Sequence, residues 1–222
     1  MTADLDALIL GALMPGVREL PVPSWLTDAL TRGVESVCLF GDATGTPERT
    51  AAVVAALRDA RADVLVATDE ESGEVTRIHA VDGSMLLSPL ALGTIDDPAV
   101  TAAQGRLAGR LMRSVGLDWT LAPVCDVNTD PRNPVIGVRS FGADPVRVGE
   151  HVAAWTEGVR AAGIACSAKH FPGHGDTHVD SHESLPVVDT SAAMLSEREL
   201  VPFRDVIANG VESVMTGHVL VP

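Results

Sequence analysis

Short runs of β-branched and small apolar residues alternate along this chain with Ala/Leu/Arg-rich segments of helical composition. No other feature of the sequence restricts the fold as much. The strand-like runs are VESVCLF (34–40), DVLVAT (63–68), LDWTLAP (117–123), GIACSA (163–168) and VESVMTG (211–217). The helical segments between them are 46–60, 97–115, 144–163 and 190–210. Buried strands that alternate with helices imply a parallel sheet joined by right-handed crossovers.

The helix starts carry their own signals. Thr46-Pro47, Asp97-Pro98 and Asp144-Pro145 each set a capping side chain before a proline at the first helical position. Gly163 and Gly210 stand where helices should stop. Residues 91–97 (ALGTIDD) and 124–142 read as long loops. No linker, repeat or low-complexity tract divides the chain, so residues 1–222 read as one α/β domain.

An open doubly wound sheet and a (β/α)8 barrel both fit this alternation, and the strand ends favour the barrel. Asp42, Asp69-Glu70, Asp126, Lys169-His170 and His218 each follow a strand. Polar groups at every C-terminal strand end belong to a barrel, whereas an open sheet gathers them at one switch point. Five strands are legible where a barrel needs eight. The expectation is a TIM-type barrel of which this chain covers roughly the first five β/α units.

Composition narrows the class of function. Aromatic residues make up 3% of the chain, so the core must be built from Ala, Val, Leu and Ile. The formal charge of −14 disfavours nucleic acid and anionic membranes as partners. Cys38, Cys125 and Cys166 are far apart in sequence, each in an apolar run, as expected of reduced, packed thiols. The N-terminus has acidic residues where a signal peptide needs basic ones, so a cytoplasmic location is expected.

KHFPGHGDTHVDSH (169–182) holds four of the seven histidines at a repeated spacing of four. On a helix this spacing would form a metal stripe. Pro172 and the flanking glycines exclude that helix, at about 3 kcal/mol for an interior proline and about 1 for each glycine. The segment is therefore a loop, and its spacing is no evidence of a shared face. No HExxH pattern is present and the nearest cysteine lies in a strand, so no metal or other cofactor is expected. Asp180-Ser181-His182 fits two readings equally by spacing alone. One is a carboxylate–imidazole dyad able to act as a general acid, and the other is an Asx-type turn with an exposed histidine.

Three segments in order resemble family 3 glycoside hydrolases, in particular their NagZ-type β-N-acetylglucosaminidases. KHFPGHG followed by DSH is the most specific of them. ATDEESGEVTR (67–77) is similar to the family's DxEGGxVxR element, and VNTDPRNPVIGVRSFG (127–142) to its NPRNPVIGxRSFG loop. Ser72 departs from the pattern, standing where the family has a glycine in a tight backbone position.

The resemblance implies a barrel enzyme that removes terminal β-linked N-acetylglucosamine, as from peptidoglycan fragments, with retention of configuration. Retention needs an acid and a nucleophile. The resemblance implies His182 as the acid/base, assisted by Asp180. It further implies that Asp69, Arg77, Arg139, Lys169 and His170 bind the sugar. Carboxylates accept from hydroxyls, while Arg and Lys donate to sugar and N-acetyl oxygens. The partner expected is thus a small carbohydrate. His174 is expected to stabilise its loop, His79 and His151 to be surface or packing residues, and His218 has no assigned role.

The family nucleophile is an aspartate on a loop well after the segment matching MTGHV (215–219), and no aspartate of this sequence corresponds to it. Residues 1–222 by themselves are therefore expected to be inactive. A family 3 β-glucosidase or β-xylosidase is a second enzymatic reading, although those usually take their acid from a later domain. A histidine acid/base would also admit phosphate in place of water, giving phosphorolysis. The non-enzymatic reading is a hydrolase remnant that only binds sugar.

Overall fold

The computed structural model of the chain describes residues 5–177 and 185–222. Among these residues six strands lie parallel: β1 (Gly16–Val17), β2 (Ser36–Leu39), β3 (Leu65–Thr68), β4 (Trp119–Thr120), β5 (Ala165–Phe171) and β6 (Ser213–Thr216). Their order across the described sheet is β1-β2-β3-β4-β5-β6, with β1 and β6 at its edges. Strand order never reverses, so the sheet has no topological switch point, and the barrel progression is the one observed. The sixth strand is β1, a two-residue element too short to leave a hydrophobic pattern in the sequence.

Among the described residues eight α-helical segments accompany the strands: α1 (Leu5–Gly11), α2 (Ser24–Arg32), α3 (Pro47–Ala60), α4 (Pro89–Ile95), α5 (Pro98–Ser114), α6 (Pro145–Arg160), α7 (Ala192–Met194) and α8 (Leu200–Ala208). A π-helical turn, Leu195–Glu199, joins α7 to α8 within the segment expected as one helix. The caps work as their chemistry dictates. Thr46 accepts from Arg49 N, and the Asp97 and Asp144 carboxylates accept from the first amides of α5 and α6. Gly163 and Gly210 lie just past their helices with φ of 81° and 80°.

The expected loop at 91–97 is a correction. Its first residues close α4, which Ser88 caps and Pro89 opens, and Asp96 terminates it at φ 58°. Gly93 in its interior hid the helix, because glycine disfavours helix locally. A Cβ there would meet Phe141 O at 1.7 Å, so glycine is required by the close approach of the 124–142 segment.

Two apolar layers follow from the strand pleat. Val37, Leu39, Val66, Cys166 and Ala168 face outward into the helices, where Trp155, Leu57, Met112 and Phe203 complete the main core. Cys38, Ala67 and Leu121 face inward, with Met14, Phe40, Trp119 and Met215 packed against them. Truncating a buried aromatic such as Trp155 to alanine in a core of this kind costs about 3–5 kcal/mol. All three cysteines are buried and free, as expected. No described helix is long and apolar enough to cross a membrane.

Candidate functional site

The inward face of the strands continues into a cavity of about 470 Å³ at their C-terminal ends. Asp69, Glu71, Arg77, Arg139, Lys169, His170, His174 and His218 supply its polar lining. Phe40, Val75, Leu121, Val135 and Met215 supply apolar wall. Five of the seven sequence-derived candidates therefore meet around one space. The other two, Asp180 and His182, lie outside the described residues. Asp42 does not join this cavity, because the chain turns after β2 into a 3₁₀ turn, Gly41–Ala43.

Lys169 is the hub. Lysines are rarely buried, yet this one is 2% exposed. Two carboxylates account for that: its Nζ lies 2.7 Å from Asp69 Oδ1 and 2.6 Å from Glu71 Oε1. A buried ammonium is tolerated when it is paired and hydrogen-bonded. Arg139 adds a second cation, donating from Nε and Nη2 to the two oxygens of Glu71 at 2.8 Å each and from Nη1 to Val135 O. Burial alone would raise the Glu71 carboxyl, but Lys169 and Arg139 outweigh it and hold the pKa at about 2. Arg77 stands further off, 3.9 Å from Asp69 Oδ2 and 40% exposed.

Neighbouring carboxylates behave oppositely. Glu70, between Asp69 and Glu71, turns away from the cavity. Its Oε2 accepts from Thr76 Oγ1, Arg77 N and Ile78 N at 2.9–3.1 Å. Its Oε1 has no partner among the described residues. With no cation among the described residues beside it, burial prevails over those hydrogen bonds and pushes the carboxyl up to about 7. The loop these bonds shape contains Ser72 at φ 74°, a left-handed conformation natural to the family's glycine.

His170 is oriented from beneath by Asp126. The carboxylate takes His170 Nδ1–H at 2.7 Å and the backbone amide of His174 at 2.7 Å. Burial opposes ionisation of Asp126, but His170 and these amides keep its carboxyl below the usual range. Since a carboxylate only accepts, Nδ1 carries a proton, and Nε2 is the ring nitrogen left to face a ligand. Lys169, His170 and Phe171 belong to β5, so the histidine loop begins at Pro172 rather than at Lys169.

The loop is braced from several sides. His174 is buried and bonds Thr177 Oγ1 at 2.7 Å, as its loop-stabilising assignment expects, and it also lines the cavity. Asn133 Nδ2 donates to His174 O, while its Oδ1 accepts from Val135 N and Ile136 N, tying the two motif loops together. Arg198, in the π-helical turn, donates to Asp176 and to Glu199, each at 2.5 Å. The exposed His218 lines the cavity mouth. His151 is a packing residue, bonded to Thr101 Oγ1 at 2.8 Å and stacked on Phe141.

Sequence reasoning passed over Glu71 and Asn133 as individual residues. Both sit inside the matched motifs, as the glutamate of DxEGG and the second asparagine of NPRNP, so the motifs themselves held the signal. Among the described residues no group of three His, Cys, Asp or Glu side chains is placed to hold a metal ion.

Carboxylates, cations and an oriented imidazole gathered around one cavity at the C-terminal strand ends are the arrangement expected at the functional face of a (β/α) barrel-type sheet. The chain belongs to glycosyl hydrolase family 3, whose N-terminal domain matches residues 22–222. It is 37% identical over 186 residues to a β-hexosaminidase of Methylococcus capsulatus, covering 82% of this chain and 55% of that protein. A family 3 β-N-acetylglucosaminidase of Paenibacillus superposes with a TM-score of 0.92 at 34% identity, covering 99% of this chain and 43% of that one. NagZ of Neisseria gonorrhoeae, solved with N-trifluoroacetyl-D-glucosamine, superposes at 0.86 with 27% identity, over 95% of this chain and 64% of that one. The chain thus spans between about two fifths and two thirds of these relatives.

Proposed function

We propose that the protein to which these 222 residues belong removes terminal β-linked N-acetylglucosamine from glycosides such as peptidoglycan fragments, with retention of configuration. The observation that carries this reading is the convergence of Asp69, Lys169, Arg139, Arg77 and His170 on one cavity in a chain of this family. Asp69 accepts hydrogen bonds from sugar hydroxyls. Lys169, Arg77 and Arg139 donate to sugar oxygens and the N-acetyl carbonyl, and His170 offers its free ring nitrogen.

In this reading His182, assisted by Asp180, protonates the leaving oxygen and then activates water. An aspartate outside these residues attacks the anomeric carbon. Residues 1–222 then form the N-terminal part of the catalytic domain. A cytoplasmic location belongs to the same reading and is supported by three free, buried thiols. The test is the full-length gene product assayed on chromogenic β-glycosides of N-acetylglucosamine, glucose and xylose. The reading expects the N-acetylglucosaminide to be hydrolysed with the highest kcat/KM. Preference for the glucoside or xyloside would replace it.

A further inference from the structure

Asp69 and Glu71 both bond Lys169 and both line the cavity, yet their bonding differs in a way that separates two roles. Glu71 has a side chain 2% exposed, and its two oxygens are occupied by protein: Oε1 by Lys169 Nζ and Arg139 Nη2, Oε2 by Arg139 Nε. Asp69 is 16% exposed; its Oδ1 takes Lys169, and among the described residues its Oδ2 has only Arg77, at 3.9 Å. Asp69 therefore retains acceptor capacity toward the cavity. Glu71 has little surface left with which to touch a ligand.

The cations show the complement. An ammonium has three donors, and Lys169 spends two on the carboxylates. A guanidinium has five, and Arg139 spends three on Glu71 and Val135 O. What remains on each side chain is directed by the bonds already made. Lys169 comes from β5 and Arg139 from the 3₁₀ turn Gly137–Arg139, and Glu71 is the carboxylate that bonds both. One buried carboxylate fixes both.

We infer that Glu71 is a positioning residue: it sets the relative placement of the Lys169 ammonium and the Arg139 guanidinium, so that their spare N–H groups meet one sugar ring together. This rests on the reading that those two cations contact the sugar. A misplacement of catalytic or binding groups by about 1 Å can cost on the order of 10²-fold. Shortening the carboxylate by one methylene retracts it by a comparable distance.

The test is full-length Glu71→Asp, which keeps the charge that neutralises the buried cations, beside Glu71→Gln and Lys169→Met. Thermal unfolding, steady-state kinetics on an aryl N-acetyl-β-glucosaminide and titration with free N-acetylglucosamine are measured for each. The inference expects Glu71→Asp to fold with a Tm near that of the parent while N-acetylglucosamine affinity falls about tenfold or more and KM rises. Glu71→Gln is expected to lose affinity as well as stability. Parent-like affinity and KM in Glu71→Asp, with Lys169→Met clearly weakened, would overturn the positioning role and leave the sugar site intact. Unchanged affinity in Lys169→Met would overturn both the site and the inference.

Discussion

Asp126 Oδ2 lies 2.7 Å from Nδ1 of His170, and that carboxylate is completely buried. The pair fixes the imidazole at the cavity wall with its proton on Nδ1, while the other carboxylate oxygen anchors the start of the histidine loop through His174 N. Replacing Asp126 by asparagine keeps the shape but substitutes an amide for the charge that fixes the tautomer. Full-length Asp126→Asn is expected to lose about 10–10²-fold in kcat/KM, by analogy with other buried carboxylates that orient a histidine. Its folded-state carboxyl is held low, so the stability it contributes is present above about pH 3.8 and is lost as pH falls through the folded-state value. Parent-like kcat/KM in the variant would contradict this role.

Glu70 titrates with the opposite sign. Its carboxyl is raised from 4.5 to about 7 in the folded protein, so folding takes up a proton between those values. Stability therefore falls as pH rises from about 4.5 to about 7 and is flat above, a change of up to about 3 kcal/mol from this group. Glu70→Gln abolishes that slope. Urea unfolding of parent and variant across about pH 4.5–8 is expected to show the difference in stability moving toward the variant as pH rises. Parallel curves would contradict it.

Ser72 holds a left-handed backbone, and its hydroxyl is buried without a partner among the described residues. That conformation costs a non-glycine residue roughly 1–2 kcal/mol. Glycine relieves it but adds about 0.4–1 kcal/mol of unfolded-state entropy. Ser72→Gly is expected to stabilise the fold by about 0.5–1 kcal/mol, read from the urea midpoint. A destabilised variant would mean that the serine side chain contributes packing that outweighs the backbone term.

These residues also show what the sequence could and could not convey. Caps at Thr46, Asp97 and Asp144 were legible because a capping side chain before proline is a local signal, and the same signal at Ser88-Pro89 was obscured by Gly93. β1 was invisible because two residues carry no periodicity. The strand ends announced the functional face, but sequence order does not say which way a side chain turns. Asp69, Glu70 and Glu71 are consecutive, yet two face the cavity and one faces the core, and only long-range pairing with Lys169 and Arg139 separates a pKa of about 2 from one of about 7. Lys169 reads as a surface residue by type; two carboxylates about a hundred positions earlier place it inside.

The central claim is tested most directly by turnover of a chromogenic N-acetyl-β-glucosaminide by the full-length gene product and its His182→Ala variant. Hydrolysis by the parent that drops by about 10²-fold or more in the variant is the expected result, the size of effect a positioned general acid supplies. An unchanged rate in the variant would contradict the acid assignment. No turnover by folded full-length protein would contradict the glycosidase reading itself.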